Sequence, residues 1–107
     1  MGSGSLKAAG ATAGMISDSG SRASAMIEIV SALITVGQTV EAQALLKPAR
    51  DAAHQSGSAY QLDEYLVMIS SLWARAGEAP KAFDVINSIS GKETRVEALW
   101  NLVVMLS

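Results

Sequence analysis

The sequence predicts an all-α domain in which antiparallel helix pairs stack into a short α-solenoid; a compact helical bundle is the alternative. Three observations lead there. Apolar residues recur at helical spacing along almost the whole chain, and no stretch alternates cleanly over several residues as a half-buried strand would. Aromatic residues, which strands favour, make up 5% of the chain. The helical segments are separated by short polar or glycine-containing gaps, which suits helices that fold back on one another.

The elements follow from these gaps. Residues 1–5 read Met-Gly-Ser-Gly-Ser, a start residue and a flexible leader of the kind a cloning scar leaves, and they stand outside the predicted fold at 6–107. A first helix is predicted over 6–16. It is too rich in small residues, and too broken by Gly10 and Gly14, to read as a secretory signal. Those two glycines have small-xxx-small spacing, but no membrane span supports that use. Asp18, Ser19, Gly20 and Ser21 form a break with candidate N-caps. A second helix is predicted over 22–36, ended by Gly37. Thr39 is the candidate N-cap of a third helix over 40–54. Pro48 lies inside it, removes a backbone hydrogen bond and predicts a kink near 43–48. Ser56-Gly57-Ser58 breaks the chain again, and Ser58 with Gln61 has capping-box spacing for a fourth helix over 59–76. Gly77 closes it. Pro80 falls in the first turn of a fifth helix over 79–88, where its missing N–H does no harm. Ser90 and Glu93 repeat the capping-box spacing ahead of a last helix over 92–106.

Composition narrows the possible functions. The chain has 107 residues, half of them hydrophobic and 17% charged, with mean hydropathy +0.28. That describes one folded domain rather than a disordered chain. A formal net charge of −2 offers no electrostatic footprint for nucleic acid. There is no cysteine and one histidine, which removes disulfides, thiolate metal sites, cysteine nucleophiles and multi-histidine metal sites. No apolar run approaches the roughly 20 residues that span a bilayer. The expectation is a cytoplasmic protein with no cofactor, no metal, no nucleic-acid partner and no membrane partner.

The chain also repeats itself. With Gly37 set on Gly77, Ile29 falls on Ile69, Ser31 on Ser71, Leu33 on Trp73, Ala42 on Ala82, Leu45 on Val85 and Leu46 on Ile86, an offset of 40. A third copy begins at Arg95: Arg22-Ala-Ser-Ala-Met matches Arg95-Val-Glu-Ala-Leu, and Met26, Leu66 and Leu99 share a column. This second offset is 33, and the difference falls in 51–58. Residues 6–16 then read as the second helix of an earlier, incomplete unit.

A glycine ending helix A, followed five residues later by an alanine in helix B, resembles the tetratricopeptide repeat (TPR) turn; the pairs are Gly37/Ala42 and Gly77/Ala82. The family's bulky helix A positions match Met26, Ile29 and Leu33, then Leu66, Ile69 and Trp73, then Leu99, Leu102 and Leu106. Leu46 and Ile86 match its large helix B residue. The resemblance spans about Arg22 to Leu106. It departs at Val30, Ser70 and Val103, where the family packs a small residue, and at His54 and Thr94, where a proline usually follows helix B. The resemblance implies a right-handed solenoid whose A helices line a concave peptide-binding face. The candidate interface residues carried over to that face are Ile27, Ser31 and Ile34, then Glu64, Val67, Ser71 and Arg75, then Glu97, Trp100, Asn101 and Val104; Ser24, Glu28, Thr35, Met68 and Ala74 are carried over as groove positions too. Most are apolar or hydroxylic, which argues against clamping a C-terminal carboxylate and suits an apolar or weakly basic segment.

The last helix strengthens the case for an interface. From Ala98 to Leu106, Asn101 is the one polar residue. A helix apolar all round must be covered on more than one side, and a soluble protein that leaves it open is marking an interface. The expected function is therefore a non-enzymatic helical-repeat module for protein–protein contact, with a protein or peptide partner. It is expected to self-associate, most simply as a two-fold dimer through the A face or the end of the last helix, or to be part of a larger array, since a missing next repeat would give the same pattern. Two alternatives are a small all-α domain holding an apolar small molecule between helices, and a structural or engineered repeat scaffold.

Catalytic constellations are weak. Asp51 and His54, with Ser56 and Ser58, could be drawn as a triad. They sit at a helix end beside a loop with no oxyanion hole in view, and His54 reads as a favourable helix C-terminal residue. Glu64 and Glu97 read as solvated helix charges. Tyr60, Trp73 and Trp100 read as packing anchors, and no phosphate loop, dinucleotide fingerprint or EF-hand loop is present.

Overall fold

The structure, a computed structural model, describes residues 9, 10 and 12–107. Among them the backbone forms no strand, and five helices lie wholly within them: α1 (Ser19–Thr35), α2 (Thr39–His54), α3 (Ala59–Arg75), α4 (Ala79–Asn87) and α5 (Lys92–Leu106). The protein is all-α. Before α1, Ala9, Gly10, Thr12 and Ala13 are helical and the chain turns at Gly14. The first helix thus stops at Ala13 rather than reaching Ile16, and its expected start at 6–8, like the leader, lies outside the described residues. A methyl group on Gly10 would lie 2.7 Å from Leu45 Cδ1, so this turn sits close against α2.

Local chemistry sets the helix ends. The Asp18 carboxylate accepts from Ser21 N–H at 2.8 Å, and α1 starts at Ser19, three residues earlier than expected, because that cap organises the whole first turn. Ser58 Oγ accepts from Gln61 N–H at 3.1 Å. The reciprocal half of this capping box is absent, because the Gln61 amide donates to Tyr65 Oη. Thr39 is not an N-cap: α2 is preceded by Gln38, which makes no side-chain cap. The Ser90/Glu93 box does not form either, since Gly91 is the N-cap of α5 and makes no side-chain cap. Pro48 lies inside a continuous α2, and Pro80 sits at the start of α4.

The two A-to-B turns are near copies. Gly37 and Gly77 have φ of 83° and 86°, a left-handed conformation that glycine adopts without a Cβ penalty. At the first turn Gln38 N–H donates to Leu33 O at 2.8 Å and Gly37 N–H to Ile34 O. At the second, Glu78 N–H donates to Trp73 O at 2.9 Å and Gly77 N–H to Ala74 O. Both are Schellman caps, which satisfy the last carbonyls of the helix. Five residues beyond each glycine, Ala42 and Ala82 are fully buried. The third copy also has a local signature: Arg22 Nη1 donates to Ile16 O and Arg95 Nη1 to Ile89 O, in each case the carbonyl six residues back.

α1 packs on α2, α3 on α4, and the pairs are joined through α2 on α3 and α4 on α5; α1, α3 and α5 also pack side by side. The Cα envelope measures 40 × 34 × 14 Å. A thickness of 14 Å matches two helix layers about 9 Å apart with Cα cylinders of about 2.3 Å radius. α2 meets its neighbours with Ala42, Leu46, Ala49, Ala52 and Ala53, a mostly alanine face that permits close approach. The core between the layers is led by Val30, Leu33, Leu46, Leu66, Ile69, Val85, Ile86 and Ile89.

Candidate functional site

α1, α3 and α5 run parallel, and side chains at both ends hold them there. At the N-terminal end Tyr65 Oη donates to Gly20 O at 3.1 Å. At the C-terminal end Arg75 donates to Ser31 Oγ and Thr35 Oγ1, at 3.3 and 3.4 Å. The start of α5 is tied to α3 by Asp63, whose carboxylate accepts from Ser90 N–H at 3.0 Å, Gly91 N–H at 2.9 Å and the Ser90 hydroxyl. Asp63 is buried. Burial pushes its carboxyl up, but the hydrogen bonds from Ser90 and Gly91 outweigh that and hold it below its ordinary value of 3.8.

Between these ties the three helices leave a groove of about 660 Å³. α1 contributes Ile27 and Ser31. α3 contributes Val67, Met68, Ser70, Ser71, Leu72 and Ala74, and α5 contributes Ala98, Asn101, Leu102, Val104 and Met105. The floor is apolar, and its polar atoms are in part already engaged: Ser70 Oγ donates to Val67 O at 2.8 Å, and Ser31 accepts from Arg75. The rim is apolar and open, with Met68 47%, Val104 58% and Met105 42% exposed. Among the described residues the Ser71 hydroxyl and the Asn101 side-chain amide have no hydrogen-bond partner, so both can bond a guest.

Of the eleven residues singled out from sequence, Ile27, Ser31, Val67, Ser71, Asn101 and Val104 meet in this groove. Arg75 stands at its C-terminal end. Ile34 packs against the core, and Glu64 is exposed on α3. Glu97 and Trp100 lie elsewhere, in a shallow concavity with Lys92, Glu93 and Val96. Ser70, Leu72, Ala98, Leu102 and Met105 were not singled out as groove residues. Helical spacing held the signal for two of them, since Ala98 and Met105 lie three before and four after Asn101. Charge is uneven along the groove. Asp18 and Glu28 share a shallow surface concavity at the N-terminal ends of α1 and α3, and Glu64 lies one turn before Val67 and Met68, so this end is acidic.

The serines near His54 are spent on local backbone. Ser56 Oγ donates to Ala53 O at 2.6 Å and Ser58 Oγ caps α3. Among the described residues no group of three or more His, Asp or Glu side chains could hold a metal ion, and no helix is long and apolar enough to cross a membrane. Comparison with protein-family models, with curated proteins and with solved structures returns no match to this chain.

Proposed function

We propose that this chain is a non-catalytic, TPR-like helical-repeat module, and that the groove of α1, α3 and α5 holds an apolar helical segment of a partner protein. The groove with its open apolar rim is the observation that carries this reading. Exposed Met68, Val104 and Met105 beside a partly open cavity of about 660 Å³ leave apolar surface that a protein segment would cover along its length. A small-molecule site would bury most of its ligand instead. The solenoid reading draws support from the near-identical Schellman turns, the buried alanines after them and the side-by-side A helices. Asp18, Glu28 and Glu64 favour a segment with basic residues at the end that meets them, and Ser71 and Asn101 can bond its polar groups.

The test is fluorescence anisotropy with two labelled amphipathic peptides, leucine on one face and either lysine or glutamate at one end. The lysine peptide should bind saturably, and several-fold tighter than its glutamate counterpart at low salt. Met68→Glu should weaken it at least tenfold, although the added charge alone would attract lysine. Failure of both peptides to bind, or binding indifferent to Met68→Glu, would refute the groove as a docking site.

A further inference from the structure

α5 carries a second apolar surface, outside the groove. The helix buries Ala98 and Leu102, while Val96, Trp100, Val103 and Leu106 are 58%, 67%, 51% and 56% exposed. Val96, Trp100 and Val103 follow at i, i+4 and i+7 and form one stripe. The internal repeat shows how unusual that exposure is. At the offset of 33, Val96 corresponds to Asp63, Val103 to Ser70 and Leu106 to Trp73, all buried on α3, which has helices on both sides. On α5 the first two positions are more apolar than on α3, yet they face solvent. A position that becomes exposed should become more polar, so these residues are suited to burial by something outside the single chain.

We propose that the stripe is covered by a second copy of this chain, two α5 helices packing antiparallel about a two-fold axis. Trp100 lies near the midpoint of Lys92–Leu106, so the two Trp100 rings meet near the axis. Charge selects the antiparallel arrangement. Lys92, Glu93, Arg95 and Glu97 occupy the first half of the helix, and Trp100–Ser107 carries no charged side chain. An antiparallel pair sets each charged half against an uncharged half and opposes the helix dipoles, whereas a parallel pair would bring Glu93 and Glu97 beside their own copies. The area fits a weak, concentration-dependent pair: Val96, Trp100, Val103 and Leu106 together expose roughly 450 Å² per chain, so pairing buries about 900 Å², at the low end of specific interfaces. The groove opens on another side of α5 and remains free.

Absolute mass by light scattering after size exclusion, over a concentration series to about 1 mM, tests this. The wild-type mass should rise towards twice 11.1 kDa and level off. Trp100→Glu and Val103→Lys should each stay at 11.1 kDa with unchanged helical circular dichroism, and Met68→Glu in the groove should still reach the doubled mass. A wild-type chain that stays at 11.1 kDa throughout, a mass that climbs past two copies without levelling, or a Trp100→Glu variant that still doubles would each overturn the proposal. None of these outcomes bears on peptide binding in the groove.

Discussion

Asp63 links two elements through a single side chain. It stands on α3, yet its carboxylate holds the backbone N–H groups that open α5. Replacing it with alanine removes a charged acceptor and leaves those donors without their partner, so Asp63→Ala should destabilise the fold by about 1–3 kcal/mol, measured by urea unfolding. Because the folded carboxyl lies below its ordinary value of 3.8, its contribution is complete above that value and falls away as the pH drops through the folded value. Wild-type stability should therefore decline with acid more steeply than that of Asp63→Asn, and equal pH slopes would refute the role. None of this was legible in the sequence. Twenty-seven residues separate Asp63 from Ser90, and no periodicity marks a carboxylate that captures a distant loop. The same contact explains why the expected capping box fails, since Ser90 Oγ faces Asp63.

Among the elements, the helix breaks were the most legible feature. Glycine past a helix end and proline in a first turn are local effects, and Gly37, Gly77 and Pro80 act as their neighbours imply. Since both glycines sit in one left-handed geometry, Gly37→Ala and Gly77→Ala should each cost about 1–2 kcal/mol. A large difference between the two in thermal melts would mean that the turns are not equivalent. Pro48 lies inside α2, which stays helical from Thr39 to His54, because the alanine-rich face packed on α1 and α3 holds the helix together. The missing backbone hydrogen bond still has a cost, so Pro48→Ala should raise stability by about 1–3 kcal/mol. A lower midpoint for that variant would show that the ring itself is needed for packing.

Across the whole molecule, two helix layers put α1, α3 and α5 side by side and leave one apolar groove between them. That the A helices share a face was what the tetratricopeptide resemblance implied, with the offsets of 40 and 33 setting α1, α3 and α5 in one register. The sequence did not separate the groove from the outer side of α5. Trp100 and Val104 lie four residues apart on a helix apolar all round, and only packing against α3 and α4 decides that Val104 faces the groove while Trp100 faces away. The proposed seating of a partner segment in the groove is tested most directly by backbone amide chemical-shift mapping while the lysine-ended peptide is titrated into the labelled protein. Saturating shifts are expected at Ser31, Val67, Ser71 and Asn101, with α2 and the outer side of α4 unmoved. Shifts confined to α2 and α4, or no saturable shifts at all, would contradict it.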